Sequence, residues 1–188
     1  MHILLTRPIE DCSEMILKFQ SLGHQISNLP LLRIEKVNHE KVNYADFKAI
    51  IFTSSNAVKF LKFENEISEI FSVEEIIPSA GQGIIALQCR ENDNETISIL
   101  NKINHQETNK RAHLERNILK VLDGDCETAI GVHSIVHGDK ITVEAELFSL
   151  DGKKRFYEKK VGNLKEFKEL GKKVGILLKT KSNNSYKR

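Results

Sequence analysis

The sequence predicts an α+β C-terminal domain, a three-stranded antiparallel sheet with helices on one face, preceded by a short α/β fragment of a parallel-sheet domain. Three observations predict it. Ile141, Val143, Ala145 and Leu147 alternate with Thr142, Glu144 and Glu146, the period-two pattern of a strand buried on one side. Asp151-Gly152 follows as a hairpin turn. Stripes of apolar residues at steps of three and four lie on both sides of this strand region, whereas at the front short apolar runs alternate with a helical stripe.

From the start, Ile3–Thr6 reads as a buried strand ended by Arg7-Pro8. Cys12, Met15, Ile16, Phe19 and Leu22 make one helical stripe, and Gly23 stands where a helix C′ glycine belongs. Ile26–Ile34 reads as a strand interrupted by Pro30, and Phe47–Thr53 as a second buried strand. Ser54-Ser55-Asn56 is a candidate cap for a helix through Val58 and Leu61. A doubly wound domain needs about 100 or more residues to cover both sheet faces. This unit ends sooner, so a boundary falls between Lys62 and Glu74.

Beyond it come Ile77-Pro78-Ser79-Ala80-Gly81-Gln82-Gly83 and a strand-like Ile84–Cys89 closed by Arg90. Asn94 is the expected cap of a helix with Ile97, Leu100 and Ile103. Thr108 or Asn109 is the expected cap of the next, whose stripe is Leu114, Ile118, Val121 and Leu122. Strands Ile130–Val136 and Arg155–Val161 flank the alternating one, and a last helix carries Leu164, Phe167, Leu170, Val174, Leu177 and Leu178. The Lys/Ser/Asn tail from Lys181 is expected to be disordered. The expected divisions are 1–66, 67–110, 111–180 and the tail 181–188.

The chain has 188 residues with 29% charged and a net charge of only +2. That balance gives no strong pull towards nucleic acid or an anionic membrane surface, and no run approaches the roughly 20 apolar residues of a membrane span. Cys12, Cys89 and Cys126 are odd in number and widely spaced. They support neither a zinc site nor a disulfide framework, and reduced cytoplasmic thiols are the expectation. His113 and His133 are isolated and read as surface or satisfied histidines.

Leu122–Gly131 puts Cys126 in a Gly-containing turn between a helix and a strand. Such a corner suits covalent attachment of a small molecule. The plain alternative is a small hydrophobic residue filling a gap. Three further motifs and this loop carry one resemblance, and motifs at the front carry another. Ile77–Gly83, Leu87-Gln88-Cys89-Arg90, Glu115-Arg116, Cys126 and Ile130-Gly131 resemble, in order and spacing, the C-terminal part of porphobilinogen deaminase (hydroxymethylbilane synthase) over about residues 74–179. Ile3–Pro8, Leu29-Pro30-Leu31 and Ile51–Val58 resemble the start of uroporphyrinogen-III synthase over about residues 1–62.

The deaminase resemblance implies a protein of tetrapyrrole (porphyrin, haem) biosynthesis. It makes Cys126 the position that carries a dipyrromethane cofactor through a thioether, from which porphobilinogen units are condensed with loss of ammonia. It also implies cofactor contacts at Gly81, Gln82 and Arg90, with pyrrole carboxylates as the ligand groups. The family's catalytic Asp and most of its Arg and Lys contacts lie on domains absent from this chain, so the resemblance implies a protein not competent alone. Of Arg90, Arg111, Arg116 and Arg155, Arg90 is the best carboxylate contact; the others read as solvated faces.

The synthase resemblance implies substrate contacts at Arg7, Ser54, Ser55 and Asn56, against the plain reading of a strand end and a helix cap. It leaves a residual cyclisation activity as one alternative. A non-catalytic fusion remnant or binding module is another, with docking or self-association through the incomplete N-terminal sheet. The loop departs from the deaminase pattern at Asp125, Glu127 and Thr128-Ala129. Two carboxylates beside a thiol disfavour the thiolate and repel the cofactor's acid side chains, so weakened attachment is expected.

Overall fold

A computed structural model describes every residue except 32–34, 36–41, 53–57, 59–61, 63, 64, 66, 126 and 188. The chain divides into two compact units, Met1–Ile70 and Phe71–Arg188. In the first, β1 (His2–Leu5) and β2 (Gln25–Asn28) pair in parallel, His2 opposite Gln25 and Leu5 opposite Asn28. Between them α1 (Ser13–Ser21) buries Phe19, with Cys12 buried just before it. The helix stops as its glycine predicts: Gly23 N–H donates to Gln20 O and His24 N–H to Phe19 O, the paired bonds of a left-handed C-terminal cap.

The expected strand over Phe47–Thr53 does not form within the described residues. A 3-10 turn at Tyr44–Asp46 precedes a run in which Phe47, Ile50 and Ile51 are exposed, Ile51 by 69%. Fully apolar strands need a sheet covered on both faces, and β1–β2 is a two-stranded sheet among these residues. The strand expected to reach Ile34 ends at Asn28. Residues 32–34, Thr53 and the expected helix cap Ser54, Ser55 and Asn56 lie outside the described residues.

The second unit holds the larger core. α2 (Asn94–Ile103) is capped by Asp93, whose side chain accepts from Thr96 N–H, one residue before the expected Asn94. α3 (Gln106–Leu122) is capped by His105 accepting from Thr108 N–H, rather than by Thr108 or Asn109. β3 (Ile130–His137), β4 (Lys140–Phe148) and β5 (Arg155–Asn163) form an antiparallel sheet in that order. α4 (Phe167–Ser182) follows a 3-10 turn at Leu164–Glu166. Ile141, Val143, Ala145 and Leu147 are all buried, in one core with Leu114, Ile118 and Leu122 of α3 and Val174 and Leu178 of α4. Both helices therefore cover the same sheet face. The strand expected over Ile84–Cys89 is absent, and Ile85 and Leu87 are exposed.

Residues 181–187 are ordered where disorder is expected. α4 runs through Lys181 to Ser182, Leu150 N–H donates to Ser185 O at 2.9 Å, and Tyr186 is 3% exposed within the core. One aromatic ring buried in the core outweighs a polar composition, because a ring of that size hides much apolar area.

α3 and α4 touch closely because α4 presents glycine there. A Cβ on Gly171 would stand 2.5 Å from Leu114 O, and one on Gly175 would stand 2.8 Å from the Val121 Cβ. Gly171→Ala is expected to push the helices apart and destabilise the unit by about 1–3 kcal/mol, read as a lower denaturation midpoint with an unchanged slope.

Candidate functional site

The site begins with a segment that has no regular secondary structure yet is firmly held. Ile77–Gly83 turns twice: Gln82 N–H donates to Ser79 O and Ile84 N–H to Gly81 O. Gly81 and Gly83 both sit at φ +74° with open space around a would-be Cβ, so glycine serves the backbone angle there. Before the turn, Val132 N–H donates to Pro78 O at 2.7 Å, which lays the segment along the free edge of β3. Gly131 makes that approach feasible, since a Cβ there would stand 2.4 Å from Ile77 O.

Glu115 locks this arrangement. It is 3% exposed on α3, accepts Gly81 N–H at 2.8 Å through one carboxylate oxygen and accepts the Ser134 hydroxyl at 2.6 Å through the other. Helix, strand and glycine turn thus meet on one carboxylate. The sequence marks Glu115 only as half of a Glu-Arg pair; its partners lie 34 residues before and 19 after.

α3 then runs into the cysteine loop. Asp123 ends the helix in the left-handed conformation at φ 51°, and Gly124 N–H donates back to Leu119 O. Asp125 folds its carboxylate onto the loop backbone, accepting Glu127 N–H at 2.9 Å, Thr128 N–H and the Thr128 hydroxyl. The Glu127 amide, then the Thr128 hydroxyl, hold the Asp125 carboxyl below the usual aspartate value. Lys179 and Lys187 do the same for Asp123. Both aspartates stay anionic at neutral pH. Cys126 itself lies outside the described residues.

Arg90 projects into solvent, with its side chain 90% exposed and a 3.5 Å contact to Asp93. Gln88, Cys89, Arg90 and Asp93 line a shallow open groove. Gln82 is exposed at the tip of the glycine turn. Of the second unit's predicted contacts, Gly81 is bound to α3 through Glu115, while Arg90 meets Asp93 among the described residues. In the first unit Arg7 pairs with Asp11 at 3.3 Å. Arg116 and His113 are exposed on α3, and Arg155 pairs with Glu146 on the uncovered sheet face. Tyr157 on that face donates to Glu144, which pushes its hydroxyl up to about 12. Among the described residues no group of His, Cys, Asp and Glu is placed to hold a metal, and no helix is long and apolar enough to cross a membrane.

An acid-rich covalent cofactor needs a thiol for attachment and cationic partners for its carboxylates. A loop held on a helix-to-strand corner fits attachment through a thiol. The described loop side chains, however, are Asp123, Asp125, Glu127 and Thr128, which do not bind acetate and propionate groups. The cationic forks such groups require are represented by Arg90 alone near the glycine turn in sequence.

Fold and loop together define an α+β domain whose sheet is covered on one face and whose helix-to-strand corner bears a cysteine in the sequence. Residues 109–180 match the family model of the porphobilinogen deaminase C-terminal domain, and residues 27–98 match that of the porphobilinogen deaminase dipyromethane cofactor binding domain. Porphobilinogen deaminase of Prochlorococcus marinus (strain MIT 9515) is 32% identical over 140 residues, 74% of this chain and 44% of that protein. The enzyme of Coxiella burnetii (strain CbuG_Q212) is 34% identical over 138 residues, 73% of this chain and 45% of that protein. The chain carries porphobilinogen deaminase domains. It spans less than half the length of these relatives.

The deaminase match takes in residues 27–62, part of the stretch whose motifs resemble uroporphyrinogen-III synthase. That correction has a physical root. Short apolar runs ending in Ser and Asn are what any buried strand entering a capped helix looks like, so they discriminate poorly between families.

The Asp125 turn makes a pH prediction. Its folded pKa is lowered, so its contribution is whole above the unfolded aspartate value of about 3.9 and vanishes only as pH falls through the lower folded value. The Glu127 and Thr128 amide resonances are expected to hold constant through mildly acidic pH and move below that value. A midpoint at or above the ordinary aspartate value would contradict the turn.

Proposed function

We propose that this chain is the cofactor-bearing part of a porphobilinogen deaminase, with Cys126 as the thioether position for dipyrromethane. What supports the reading most is the corner on which the loop sits, tied through α3 and Glu115 to the Gly81-Gln82-Gly83 turn. When bound, the cofactor supplies the primer to which pyrrole units are added. This chain's own residues fix the loop's flanks through Asp123 and Asp125, and offer Arg90, loosely engaged, to a pyrrole carboxylate. The anionic loop weakens attachment, and the chain alone does not condense porphobilinogen. Its activity requires the cationic surface of further domains, supplied in the same or another chain. Reduced thiols and a cytoplasmic site accord with this reading.

A second reading is a binding module without catalysis. Phe47, Ile50 and Ile51 favour it, being exposed apolar side chains in a unit whose sheet, among the described residues, has two strands. In that reading the first unit docks on a partner or on a second copy. A synthase-like role for Arg7, Ser54, Ser55 and Asn56 has weaker support, because Arg7 is engaged by Asp11.

Intact-mass analysis after incubation with preuroporphyrinogen separates these readings. The expected result is a dipyrromethane adduct that Cys126→Ala abolishes, with no turnover of porphobilinogen. An unmodified chain in every preparation would rule out the attachment role and leave the binding module.

A further inference from the structure

We propose that residues 183–187 are a positioning strap for the cysteine loop, acting through the end of α3. The Tyr186 hydroxyl donates to Leu122 O at 2.9 Å within the core, 64 positions along the chain from its acceptor. Lys179 Nζ donates to Val121 O at 3.0 Å and to the Asp123 carboxylate at 3.2 Å. Lys187 Nζ reaches the same carboxylate at 3.5 Å. The strap is itself anchored. Asn183 and Asn184 turn the chain back at φ 46° and 57°, and Ser185 O receives Leu150 N–H.

These contacts fall where a helix needs them. The last carbonyls of an α-helix have no intrahelical partner, and Val121 and Leu122 are the last two residues of α3. Left to water, that turn frays. Asp123 must also hold a left-handed backbone that a residue with a side chain adopts at a cost. Two ammonium groups on its carboxylate, beside the negative end of the helix dipole, favour that state. The direction in which the chain leaves α3 towards Cys126 is thus set by Tyr186 and the two lysines. This holds whether or not the thiol carries a group, so it is independent of the proposed function.

The test uses the full chain and Tyr186→Phe, which keeps the ring in the core and removes only the donor to Leu122 O. A chain shortened after Asn184 removes Tyr186 and Lys187, the residues through which the strap holds the end of α3. Two readouts report the start of the loop: amide exchange at Asp123, which donates to Lys120 O, and at Gly124, which donates to Leu119 O. Ile118 and Val143 exchange serve as internal references. Tyr186→Phe is expected to speed both loop readouts about fivefold, the effect of one net hydrogen bond on a local opening, with both references unchanged. The shortened chain is expected to give the same selective pattern, larger. Unchanged Asp123 and Gly124 exchange in Tyr186→Phe would overturn the proposal. Equal acceleration of Ile118 and Gly124 would also overturn it, since that marks loss of overall stability.

Discussion

The buried carboxylate of Glu115 receives Gly81 N–H on one oxygen and the Ser134 hydroxyl on the other. The second unit's candidate site depends on this junction. α3 supplies the carboxylate, β3 the hydroxyl, and an otherwise irregular segment the amide. Hydrogen bonds to a carboxylate are stronger than neutral ones, and a low-dielectric setting strengthens them further. Removing such a partner leaves buried donors unmet at about 1–3 kcal/mol. The close approach of Ile77 to Gly131 and the Pro78–Val132 bond extend the same junction along β3. Residues 77–83 are thereby part of the α+β domain, although they lack its regular hydrogen bonding.

Charge then decides what the site can hold. The loop side chains at 123, 125 and 127 are acidic, and the Asp125 carboxylate is committed to its own turn. Lys179 and Lys187 neutralise Asp123 but point to the helix end. An acid-rich ligand therefore meets an anionic corner, with Arg90 as the exposed cation of the glycine-turn segment.

How much of this was legible in the sequence followed the length of the signal. The β4 alternation and the α4 stripe each involve many residues in phase, the Asp151-Gly152 turn is a specific short signal, and the structure has all three. The apolar runs at Phe47–Thr53 and Ile84–Cys89 misled, because apolar composition reports a demand for burial and says nothing about whether neighbouring strands exist. Tyr186 was hidden by its polar neighbours. Asp93 and His105 displaced the expected caps because several adjacent residues had suitable acceptors. Glu115 lay beyond local reading altogether, since its partners are distant in sequence. Cys126 was singled out by its corner and by family resemblance.

The most direct measurement of the account is native-state amide exchange at Gly81 and Val132, with and without Glu115→Ala. Both amides are expected to exchange in the intact chain only through the large opening that exposes the β4 core. In the variant Gly81 is expected to lose its protection while Val143 keeps its own. Rapid, loop-like exchange of Gly81 in the intact chain would contradict the claim that one carboxylate makes this segment part of the domain.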